Sequence, residues 1–115
     1  MELSAKLKEE GCEYIIALTH MKTTSDRKLA KLGKGHIDLI LGGHIHQSIF
    51  ERATKKKVCL IKSGSDFQEF STIRVNLNTK KLERRRKRIL IDEKNKNFIP
   101  DPNTEVFIEK YQSKL

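Results

Sequence analysis

The sequence predicts an α/β fold: a βαβ unit followed by antiparallel strands and a C-terminal helix. Three observations lead there. Two apolar runs, Tyr14-Ile15-Ile16-Ala17-Leu18 and Ile37-Asp38-Leu39-Ile40-Leu41, have strand length, and each is followed by histidine. Between them, Arg27-Lys28-Leu29-Ala30-Lys31-Leu32 has helical spacing. Beyond His46 the apolar runs become short and alternating, as in hairpins, until Val106, Phe107, Ile108 and Tyr111 restore helical spacing after Pro100 and Pro102.

Taken in order, Leu3 and Leu7 lie four apart among charges and Gly11 follows, which predicts a short amphipathic helix with a glycine stop. The run 14–18 is β-branched and aromatic enough for a buried strand, and its end delivers Thr19 and His20. Thr24, Ser25 and Asp26 offer capping oxygens to the next helix, which Gly33 and Gly35 close. The second strand should stop near Leu41, where Gly42 and Gly43 give backbone freedom for a sharp turn into His44 and His46. Residues 48–51 and 58–61 flank a polar 53–57 and predict an antiparallel hairpin, with Ser63-Gly64-Ser65-Asp66 as the following turn. Residues 70–77 and 82–91 form a half-exposed pair across Asn78-Thr79-Lys80, and residues 103–115 form the last helix.

A strand, a helix and a second buried strand require parallel strands with a right-handed crossover. Both histidine-bearing strand ends then lie on the carboxyl edge of the sheet, where open α/β sheets bind ligands. Neutral imidazole is a ligand for zinc, manganese, iron and similar ions, so His20, His44 and His46 are candidate metal ligands. His36 precedes its strand at the opposite edge and reads as a surface residue. Ser63 and Ser65 lack the Gly-x-Ser-x-Gly elbow of a nucleophilic serine and read as turn residues.

With 115 residues the chain suits a single domain. Its charged fraction of 34% exceeds the roughly 25% of ordinary globular chains, and its net charge of +9 favours polyanions as partners. The N-terminus is too charged for a signal peptide and no run is long enough to cross a membrane, which leaves the compartment open. Cys12 and Cys59 have no metal-site spacing and read as buried free thiols. The basic run Lys80 to Arg88 suits a solvated edge strand, where cations discourage sheet-to-sheet association. Nucleic-acid binding is the weaker reading of that run, since it contains no aromatic residue on which a base could stack.

Several stretches together resemble the later metal motifs of calcineurin-like metallophosphoesterases, and most of all those of 5'-nucleotidases. These are Ile16-Ala17-Leu18-Thr19-His20-Met21, Asp26 with Leu29-Ala30, and Ile37 through the Gly43-His44-Ile45-His46 motif. Ile61-Lys62-Ser63-Gly64-Ser65-Asp66-Phe67 is similar to the segment that follows this motif in that family, and the Tyr111 helix to its interdomain connector. The resemblance implies the second half of an α/β/β/α sandwich, with residues 1–99 as the C-terminal part of a catalytic domain and 100–115 as a connector helix. It also implies a two-metal site of the zinc, manganese, iron, cobalt or magnesium type, in which His20 and His44 hold one ion and His46 the other. A metal-activated water would there hydrolyse a phosphate ester, a nucleotide above all.

The family's earlier motifs, with their bridging carboxylate and catalytic histidine, have no counterpart here, so no catalytic residue is expected in this chain. Asp26, Asp38 and Asp66 read instead as a helix cap, a strand-start residue and a turn former. The chain alone is expected to be inactive, to bind metal weakly or at a partial site, to need the missing N-terminal half as its partner, and to self-associate through exposed edges. The competing class is a non-catalytic basic module for nucleic acid or another polyanion, with a vestigial metal edge.

Overall fold

A computed structural model describes residues 2–66, 68–88 and 101–112. The order is α1 (Glu2–Glu9), β1 (Ile16–Thr19), α2 (Thr23–Leu32), β2 (Leu39–Gly42), β3 (Ser48–Glu51), β4 (Cys59–Ser63), β5 (Glu69–Val75), β6 (Leu82–Arg88) and α3 (Pro102–Gln112). The mixed α/β architecture is as expected. The parts of the expected strand 82–91 and helix 103–115 at 89–91 and 113–115 lie outside the described residues, as does Phe67.

A four-stranded sheet runs in the order β1-β2-β4-β3. Strands β1 and β2 are parallel, with Ile16 opposite Leu39 and Thr19 opposite Gly42, and α2 is the crossover between them. Strand β4 adds to β2 in parallel, and β3 closes the sheet as the antiparallel arm of the expected hairpin. Strands β5 and β6 form a separate antiparallel ribbon.

The sheet is covered on one face by α2, where Ala30 packs with Ile40, Val58 and Leu60. On the other face Leu39, Cys59 and Ile61 pack against Ile73 and Leu82 of the ribbon. The alternation of a strand explains this division: Leu39 and Leu41 point one way, Ile40 the other. Asp38 is a strand-start residue as expected, accepting the Ile15 N–H through Oδ2 at 2.8 Å while its own N–H donates to the Ile15 carbonyl at 2.8 Å.

Three local expectations are corrected. The 14–18 run is not a buried strand: β1 is an edge strand, and its outward Ile16 and Leu18 are 49% and 85% exposed because the ribbon does not reach that far. Helix α2 begins at Thr23 with Lys22 before it and no side-chain cap, so Asp26 lies inside the helix rather than capping it. Gly33, by contrast, closes α2 as expected, at φ −78°, and it also leaves space, since a Cβ there would meet Ile37 Cδ1 at 2.8 Å and the Leu29 carbonyl at 2.9 Å. Cys59 is buried, but Cys12 is exposed, because it follows the α1 stop outside both cores.

Helix α1 forms as expected, though Leu3 stays exposed. Helix α3 has a local start signal in Asp101, whose Oδ1 accepts the Thr104 N–H at 2.9 Å, with Pro102 in the first turn. Its Val106, Phe107, Ile108 and Tyr111 side chains remain exposed. No helix among the described residues is long and apolar enough to cross a membrane.

Candidate functional site

His20 follows the last residue of β1, and His44 follows Gly42, the last residue of β2, and Gly43. Register at the strand ends continues into the turns: Thr19 faces Gly42, and the Gly43 N–H donates to the Thr19 carbonyl at 2.9 Å. The two imidazoles consequently meet edge to face, with ring centroids 5.1 Å apart and planes at 65°. His46 lies two residues on and is exposed. Among the described residues, no group of three or more His, Cys, Asp or Glu side chains is placed to hold a metal ion. His36 is exposed at the other end of its strand, as expected.

The glycines do a different job from the one their type suggests. The left-handed backbone falls on His44, at φ +71°, and not on Gly42 or Gly43. With the Ile45 N–H donating to the Gly43 carbonyl at 3.0 Å, Gly43-His44-Ile45 is a γ-turn of the rare, positive-φ kind. Such a conformation costs a non-glycine residue on the order of 1–3 kcal/mol and has to be held by its surroundings. Gly43 allows a close approach, since a Cβ there would sit 3.1 Å from His20 Nδ1 and the imidazole would have to shift. Gly42 makes room below, where a Cβ would be 2.8 Å from Lys62 Cε.

What holds the turn is a charged pair buried beneath it. Lys62 and Asp26 side chains are 1% and 0% exposed, with Nζ 2.6 Å from Oδ2. That contact is an ion pair whose angle lies outside hydrogen-bond geometry; Lys62 Nζ donates instead to the carbonyls of Met21 and Gly43, both at 2.8 Å. Asp26 Oδ1 accepts the Thr19 hydroxyl at 2.6 Å. One ammonium therefore ties the residue after His20 to the residue before His44, and one carboxylate ties both to the end of β1.

Sequence reasoning missed this pair. The available signal was Lys62 itself, which continues the alternate row Val58, Leu60, Lys62 on the face covered by α2, where an unpaired ammonium would be untenable. Asp26 stands four residues before Ala30 on the same helix face, within reach of that row. Ser63, by contrast, is tied to the ribbon, its hydroxyl donating to Ser71 Oγ at 3.0 Å.

The sequence matches no family model and no solved structure. It is 38% identical over 64 residues to the trifunctional nucleotide phosphoesterase protein YfkN of Bacillus subtilis (strain 168). That alignment covers 54% of this chain and 4% of the relative, so the chain spans a small fraction of the length of the curated protein it matches.

Proposed function

We propose that this chain carries imidazole ligands of a metal-dependent phosphoesterase centre of the 5'-nucleotidase type, in a domain that hydrolyses phosphate esters of nucleotides. The observation that carries this reading is the His20–His44 pair, 5.1 Å apart on the carboxyl edge of parallel strands and anchored from below by Lys62. The similarity to a nucleotide phosphoesterase supports it. The donor chemistry fits as a part of a site: two converging neutral imidazoles can share one divalent ion, and His46 is free to serve a second.

Two-metal hydrolysis uses its ions to generate hydroxide and to neutralise charge on the phosphoryl group. In this reading His20 and His44 would hold one ion of the zinc, manganese, iron, cobalt or magnesium type. Bridging carboxylates and the catalytic histidine would come from outside these 115 residues. Residues 1–99 then serve as the C-terminal part of the catalytic domain and 100–115 as its connector. Exposed Ile16 and Leu18 on edge strand β1 would pack against the complementary part, and in its absence against a second copy.

Calorimetric titration with Co²⁺ and Mn²⁺ tests the ligand set. Weak binding of one ion is expected, lost in both His20→Ala and His44→Ala, with no hydrolysis of an aryl phosphate by the chain alone. Affinity indifferent to both substitutions, or turnover by the pure chain, would overturn the reading.

A further inference from the structure

The second candidate site lies at the opposite ends of the strands. A cleft of about 570 Å³ opens between the four-stranded sheet and the ribbon, floored by Cys59 and Leu82. Arg52, Lys80, Lys81, Arg84 and Arg85 line it against Asp38 and Glu83 alone among acids. Its two aromatic walls are Tyr14 and Phe50, contributed by segments distant in the sequence. Cations already lie over both rings: Arg84 Cζ is 5.1 Å and Arg52 Cζ 5.5 Å from the Phe50 centroid, and Lys80 Nζ is 5.4 Å from that of Tyr14.

We propose that this cleft and the adjoining strand β6 bind single-stranded nucleic acid. The basic run lacks aromatic residues of its own, but the fold brings two rings to it, which gives the pairing of stacking surface and cationic track that unpaired strands require. Arg84 is occupied in positioning, since its guanidinium donates to Glu69 Oε1 at 3.0 Å and to Ser71 Oγ at 2.8 Å with the ion pair almost wholly buried. The phosphate contacts fall to exposed cations. Arg52, Lys81 and Arg85 line the cleft, and none of them forms an ion pair with a described residue. Seven strand residues span about 23 Å, longer than a mononucleotide, so the track suits a chain of phosphates. A duplex keeps its base faces stacked and has none to offer Tyr14 or Phe50.

Fluorescence anisotropy of a labelled 12-nucleotide oligo(dU), titrated with the full chain in EDTA, tests this apart from any metal at the histidine edge. Saturable binding is expected, with a log–log salt slope of about −2 to −3 for three or four neutralised phosphates. Phe50→Leu, at a partly exposed site, should weaken it about five- to tenfold, and Lys81→Glu with Arg85→Glu more than tenfold. An abasic strand of equal length should bind at least as poorly as oligo(dU) binds Phe50→Leu. Equal affinity for the abasic strand, a duplex, inorganic polyphosphate of matched charge or phosphatidylserine vesicles would overturn the proposal. So would either variant binding like the parent with its circular dichroism unchanged.

Discussion

Lys62 Nζ sits 2.6 Å from Asp26 Oδ2, joining the third parallel strand to the crossover helix in a place neither side chain shares with solvent. Removing one partner of a buried pair leaves an uncompensated charge and costs about 3–5 kcal/mol, whereas replacing both with apolar groups is close to neutral. Urea unfolding should show Lys62→Met and Asp26→Leu each strongly destabilised and the double variant largely restored. Restored stability need not restore the site, because the Met21 and Gly43 carbonyls lose their shared donor.

The γ-turn at His44 makes a second prediction. Glycine occupies positive φ without a Cβ penalty, so His44→Gly should be more stable than His44→Ala by about 1 kcal/mol. At His20, which has no positive φ, the order should reverse. Thermal or urea midpoints of the four variants check this.

Glu51 joins three segments through its carboxylate: Lys57 Nζ donates to Oε2 at 2.8 Å and Arg27 Nε to Oε1 at 2.6 Å. The Lys57 hydrogen bond, aided by Arg27, holds its pKa below the usual glutamate value against the opposing effect of burial. A carboxyl depressed in the folded state stabilises above its unfolded pKa, near ~4.3, and that contribution is lost as pH falls through the lower folded value. Stability should therefore drop on acidification from pH 5 to 3, with a smaller drop in Glu51→Gln. Urea midpoints across that range measure it.

The two cysteines should separate by reactivity. Burial pushes the Cys59 thiol pKa up, which suppresses its thiolate, while Cys12 is exposed. Ellman's reagent should titrate one thiol in the native chain at pH 8 and both in urea, with Cys12→Ser abolishing the native reaction.

Much of the fold was legible because local pattern and tertiary role agree. The 4–5-residue apolar runs, the helical spacing of Leu29 and Ala30 and the hairpin around residues 53–57 each specify their element without outside help. Burial was less legible. Ile16 and Leu18 look like core residues, and their exposure follows from β1 standing at the sheet edge, which a run of five residues does not encode. At the site, the nearness of His20 to His44 followed from parallel topology. The backbone strain did not: Gly42 and Gly43 advertise conformational freedom, yet their missing side chains make room for Lys62 and His20 while His44 takes the unusual angle. The partnership of Asp26 with Lys62 crosses from helix to strand and depends on register that only the assembled sheet supplies. Arg84 looks solvated within its run of cations, but pairing with Glu69 across the ribbon draws it inward.

The border position of β1 also sets a timetable. Its partner β2 emerges only after the crossover helix, with Ile15 and Asp38 separated by 23 residues. At about 5–20 residues per second of synthesis, Ile16 and Leu18 wait on the order of one to five seconds before the neighbouring strand is made. Pairing with β2 still leaves their outer face open. Ile16 and Leu18 therefore stay open to a further packing partner after the sheet itself has formed.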